Sequence, residues 1–157
     1  MIDFNKALAK MMDACSRAEK CTRDIRDKLR KWELPESQIA TIIEQLKEQK
    51  FIDDNRYAKA FVRDKSQFNR WGKTKIRYHL QAKGIPAEAI VIALQEIEED
   101  KYQEQLEHIL RNKIRGMVPI EDYYQAKAKL IRFAASRGFE AELVYAAVDR
   151  LLKEMSD

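Results

Sequence analysis

The chain has 157 residues, 36% of them charged and 45% apolar, with only four glycines, three prolines and a net charge of +4. So much apolar content builds a core, while charge far above the roughly 25% average and so few breakers point to an almost wholly helical protein. No apolar run approaches the ~20 residues of a membrane span, and the N-terminus lacks the apolar centre of a secretory signal, so a cytoplasmic protein with no membrane partner is expected.

In chain order, residues 4–18 read as a first helix, with Phe4, Leu8, Met11, Met12 and Cys15 along one side. Cys15 and Cys21 are too far apart for a CxxC pair or a zinc knuckle and have no third ligand nearby, so buried thiols without metal or cofactor are expected. Residues 25–39, IRDKLRKWELPESQI, give two helices joined at Trp32-Glu33-Leu34 and Pro35. Asp53 then sits where a helix N-cap belongs, with Ile52 and Tyr57 at the two positions of a hydrophobic staple. Adjacent acids opening a helix are caps more often than a catalytic pair, and Asp53-Asp54 is read that way.

Trp71-Gly72-Lys73-Thr74 resembles the end of a Walker A loop. That loop needs a glycine where Gln67 stands, and a preceding strand where residues 56–70 read as helix. The stretch is read instead as the start of a basic helix whose free N–H groups, flanked by lysines, suit a phosphate of a nucleic-acid backbone. Ile76 and Leu80 share one face of that helix, Gly84 stops it, and Pro86 opens the next in its first turn, followed by Ile90, Ala93 and Leu94 at core spacing. The acidic run 96–100 marks a junction. Residues 101–114 form a further long helix with Tyr102, Leu106, Ile109, Leu110 and Ile114 on its apolar side.

The helix pair recurs. Residues 25–39 lie over residues 76–90, IRYHLQAKGIPAEAI, and again over residues 130–144, LIRFAASRGFEAELV. Leu34, Ile85 and Phe139 coincide, as do Gly84 and Gly138; the first copy lacks the glycine. Each pair is preceded by a longer helix. The expected fold is therefore all-α: three tandem three-helix-bundle repeats, at 1–50, 51–99 and 100–157, in an elongated, curved array.

Charge is segregated. Between Arg56 and Lys83 nine Lys or Arg face the single acid Asp64, and between Arg111 and Arg137 seven face Glu121 and Asp122. Such a field favours polyanions. The candidate binding residues are Arg63, Lys65, Arg70, Trp71, Lys73, Lys75 and Arg77 around the fourth and fifth helices, with Arg111, Lys113, Arg115, Lys127, Lys129 and Arg132 in the third repeat. DNA backbone and protein acids draw on the same side chains, and both remain open. Trp71 suits base stacking or core closure equally, Tyr78 is a further candidate, and Phe68 is expected to close the core. His79 and His108 stand alone, and no enzymatic constellation is found.

FIDDNRYAKAFVRDK followed by WGKTKIRYHLQAKGIPAEAI resembles the signature of the RecX family, bacterial regulators of the RecA recombinase. The residues that carry it are Ile52, Asp53, Asp54, Tyr57 and Ala58, then Gly72, Ile76 and Leu80, then Lys83-Gly84-Ile85. The likeness is strongest over residues 22–94, and Trp71 and Lys73 depart from the residues often found there. The resemblance implies three tandem three-helix repeats and a monomeric protein, without cofactor, that occupies the groove of the RecA nucleoprotein filament. There it would suppress ATP hydrolysis, strand exchange and co-protease activity, with weak, sequence-independent contact to single- and double-stranded DNA. A helix-turn-helix transcriptional regulator, reading bases with Arg77, His79 and Gln81, is the alternative.

Overall fold

The computed structural model describes residues 2–156, and among them the secondary structure is entirely helical. The helices are α1 (Phe4–Arg17), α2 (Thr22–Lys31), α3 (Glu36–Glu48), α4 (Asp54–Gln67), α5 (Lys73–Ala82), α6 (Ala87–Leu94), α7 (Glu99–Arg115), α8 (Tyr123–Ser136) and α9 (Ala141–Ser156). A long helix followed by a closely joined pair occurs three times, as the internal similarity predicts. No helix is long and apolar enough to cross a membrane.

The pair is joined each time by the same hydrogen-bonded turn. Glu33, Gly84 and Gly138 adopt left-handed backbone, with φ of 61°, 75° and 95°. The next residue, Leu34, Ile85 or Phe139, turns its N–H back to the carbonyl of Leu29, Leu80 or Ala134, at 3.3, 3.1 and 3.3 Å. This is a Schellman stop, in which a residue beyond the helix satisfies a terminal carbonyl and seats its own apolar side chain on the last turn. The three apolar residues are all buried. The first repeat thus keeps the turn without the glycine, by holding Glu33 in a conformation that glycine adopts more readily.

Helix starts also follow local chemistry. The Asp53 carboxylate accepts from the Arg56 N–H at 3.1 Å, capping α4, and Ile52 and Tyr57 are both buried. Asp54 does different work, accepting from the Thr22 N–H and hydroxyl at 2.8 and 2.9 Å and so capping α2. The prolines stand one place earlier than expected. Pro35 is the N-cap of α3, and the Pro86 carbonyl accepts the Ile90 N–H at 3.1 Å. An extended residue that supplies a carbonyl and needs no N–H suits that position.

The chain packs as two compact units. The first comprises residues up to Ala60 together with Leu80–Ala93. Its core includes Ala7, Met11, Ile25, Leu29, Ile39, Ile42 and Leu46, with α1 and α2 both on α3. Within this unit Arg23 donates to the Ala82 carbonyl at 2.5 Å, and Lys83 pairs with Asp24 at 2.6 Å, so the start of α2 grips the end of α5. The second unit comprises Phe61–His79 and the chain from Leu94 onward. In it α7, α8 and α9 pack mutually around Tyr102, Leu106, Leu110, Leu130, Val144, Val148 and Leu151.

Candidate functional site

All the basic and aromatic candidates fall in the second unit. They divide by what holds them. Around the α4–α5 turn, the Trp71 ring is half-buried and already engaged. His79 lies 4.8 Å from it by ring centroids, and the Lys65 and Lys75 ammonium groups stand 4.9 and 4.5 Å from its centre. Cation–π contacts of this kind orient the lysines and cover the ring. Trp71 is therefore a support for two cations rather than a bare stacking platform. A cavity of about 260 Å³ beside it is lined by Val62, Ile97 and Tyr102 and rimmed by Arg63, Lys101, Glu96 and Glu98.

The expected phosphate cradle at the start of α5 is closed. The Gly72 N–H donates to the Arg137 carbonyl at 2.6 Å, the Lys73 N–H to the Tyr102 hydroxyl at 2.8 Å, and the Thr74 N–H to the Gly138 carbonyl at 3.0 Å. Tyr102 in turn donates to the Glu140 carboxylate. Burial, reinforced by that carboxylate, pushes its phenol well above the ordinary tyrosine range. The approach is so close that a Cβ on Gly72 would strike the Gly138 backbone. Lys73 itself turns inward, pairing with Glu99 at 3.0 Å and lying 4.7 Å from the Tyr102 ring centre. The donors read from sequence as free are thus consumed by the Arg137–Gly138 turn, more than sixty residues away in the chain, and by Tyr102 of α7.

Other candidates are partly neutralised. Lys127 pairs with Asp149 at 2.7 Å, a hydrogen bond that raises its pKa, and Arg111 meets Glu154 at 3.3 Å. Arg115 donates to Asn112 at 2.8 Å, and Lys113 stands 5.0 Å from the centre of the Phe133 ring. Arg63, Arg77, Lys129 and Arg132 are exposed, with no acidic partner among the described residues. Arg70 has left-handed backbone, φ 53°, and its Nε is buried without a hydrogen-bond partner.

One aromatic expectation changes. Phe68 does not close the core: it lies just beyond α4 and is 77% exposed, because the helix ends at Gln67 and the chain turns before Trp71. Tyr78 is 68% exposed, two residues from both Ile76 and Leu80 and hence on the opposite side of α5 from those buried residues. One contributor escaped the sequence reading. Arg137 stands 4.9 Å from the Phe133 ring centre, the same ring that Lys113 meets at 5.0 Å. It is the repeat equivalent of Lys83, so the spacing carried the signal.

Comparison with known proteins agrees with this architecture. A profile of the second three-helix domain of RecX matches residues 53–94, and one of the third three-helix domain of RecX matches residues 99–148. Regulatory protein RecX of Clostridium botulinum (strain Eklund 17B / Type B) is 33% identical over 126 residues, covering 80% of this chain and 58% of that protein. Regulatory protein RecX of Bacillus mycoides (strain KBAB4) is 26% identical over 155 residues, covering 99% and 57%. The chain therefore spans less than two thirds of the length of these curated relatives. The crystal structure of RecX from Lactobacillus salivarius superimposes with a TM-score of 0.82 over 94% of this chain and 96% of that one, at 22% identity, a likeness of fold. A second crystal structure, of a regulatory protein RecX, gives 0.83 at 26% identity, covering 94% and 71%.

Proposed function

The chain belongs to the RecX family, and from that membership we propose that it is a non-enzymatic regulator of the RecA recombinase in DNA repair and the SOS response. It binds the RecA nucleoprotein filament in its groove and lowers ATP hydrolysis, strand exchange and co-protease activity, with sequence-independent DNA contact in support. The tandem three-helix segments serve as successive modules along that target.

The observation that supports this reading most is the set of cations without acidic partners. Arg63 and Arg77 flank the α4–α5 turn and Lys129 and Arg132 lie on α8, all in one compact unit. Unpaired surface cations attract a polyanion or an acidic surface at long range, steering encounter as well as binding. Lys65 and Lys75, held at Trp71, add charge whose side-chain freedom is already restricted.

The test is single-strand-dependent ATP hydrolysis by RecA with this protein added. A dose-dependent fall is expected. Unchanged hydrolysis together with unchanged filament stability at saturating protein would remove the reading. Strong preference for one palindromic duplex, bound as a dimer, would instead install the transcriptional alternative.

A further inference from the structure

We propose that the second unit carries a groove for one unpaired nucleotide, with the base stacked on Phe68 and the phosphate held by Arg70, Lys113 and Arg137. This rests on the DNA-contact part of the reading above and deepens it, by assigning a place and a preference for single strands.

The groove lies between the turn after α4, the side of α7 and the end of α8, and has a volume of about 550 Å³. Drug- and nucleotide-sized ligands occupy clefts of this order. None of the residues lining it is acidic. On one wall, Lys113 and Arg137 are held against the same ring, Phe133, at 5.0 and 4.9 Å from its centre. Two cations held on one ring, in a lining without a carboxylate, favour an anion.

Arg70 forms part of the same lining and carries two signs of unmet demand. Its backbone is left-handed, which costs a residue with a side chain more than it costs glycine, and its Nε is buried with no acceptor. A phosphate in the groove would meet the guanidinium charge of Arg70. At the mouth stands Phe68, 77% exposed, with the Asn69 amide next to it in the chain. A flat exposed ring beside three cations matches a nucleotide better than an acidic peptide. A carboxylate side chain uses the cations but gives the ring nothing to stack on, whereas every base has a π-face. In a duplex that face is covered by its neighbours, so this contact favours single strands.

The experiment measures binding of labelled oligothymidylate and of a duplex of equal length by fluorescence anisotropy, without RecA. Phe68→Ala should weaken oligothymidylate about tenfold while leaving the duplex within about twofold, and Phe68→Trp should keep wild-type affinity. Replacing Lys113 and Arg137 with Gln should make the salt slope on single strands shallower by about 0.7 per residue. In the unaltered protein, photo-cross-linking to an iodouracil-bearing strand should map to Phe68–Arg70, a readout that needs no folded variant. The inference is overturned by wild-type oligothymidylate affinity in Phe68→Ala, by cross-links confined to other segments, or by polyglutamate displacing the oligonucleotide at equal charge. RecA hydrolysis is scored separately. Inhibition that survives in the face of any of those outcomes discards the groove alone, and absent inhibition with intact strand discrimination discards the filament reading alone.

Discussion

Glu33 holds φ 61° at the position where the other two repeats place Gly84 and Gly138. A left-handed L-residue costs roughly 1–2 kcal/mol, against which glycine gives back about 0.5–1 kcal/mol through its freer unfolded chain. Glu33→Gly should therefore stabilise the protein by about 0.5–1 kcal/mol, read as a higher urea midpoint at unchanged slope. A lower midpoint would mean that the Glu33 side chain contributes something its exposed position does not suggest. The reverse exchange at Gly138 should be much worse, since a Cβ there runs into the Cβ of Lys75 as well as straining the backbone. Phe68 and Trp71 show the same dependence on place: three residues apart, one is left in water and the other is wrapped by cations and an imidazole.

At the scale of elements, the first unit depends on the grip between the start of α2 and the end of α5. Burial works to raise the Asp24 carboxyl, but hydrogen bonds from Lys83 and the Cys21 thiol outweigh it and its pKa is lowered. Lys83 is raised by its hydrogen bond to Asp24. Burial pushes the Cys21 thiol from its ordinary 9.0 to about 11. The signs then follow from linkage. Asp24 contributes stability above the ordinary carboxylate range and loses it as pH falls through its lowered folded value. Lys83 contributes below its ordinary value and loses it as pH rises through the raised one. Cys21 stays protonated in the fold while the unfolded thiol ionises, so stability declines between pH 9 and about 11. The urea midpoint is expected to fall across that window, and Cys21→Ala should flatten the fall. An equal decline in that variant would assign the alkaline sensitivity elsewhere.

For the whole molecule, the placement of every candidate cation in one unit makes a sharp contrast possible. Changing Arg63, Lys75 and Arg77 together to Gln should raise the concentration needed to slow RecA hydrolysis about tenfold. Each lost backbone contact should also make the duplex salt slope shallower by about 0.9. The matching change of exposed Lys6, Lys31 and Lys47 in the first unit should do neither. Equal loss from both sets would show that total charge, rather than its placement, governs engagement. Lys73 is left out of the first set because its pairing with Glu99 and its place over Tyr102 make it a support for the fold.

The repeat, the helices and their stops were legible in the sequence because they are local. Leu29 and Leu34, Leu80 and Ile85, Ala134 and Phe139 each lie five residues apart, and the turn between them is fixed by φ, by one backbone bond and by an apolar side chain. Which donors and rings stay free was decided by tertiary structure alone. The N–H groups opening α5 are consumed by Arg137, Gly138 and Tyr102, residues remote in the chain, and nothing within a helix's own sequence reports what packs against its end. Arg137 meets Phe133 locally, four residues away at the end of α8, but Lys113 reaches that ring only once α7 and α8 are packed. Local chemistry settled where helices begin and end, and burial then chose which of their polar groups remain open to a partner.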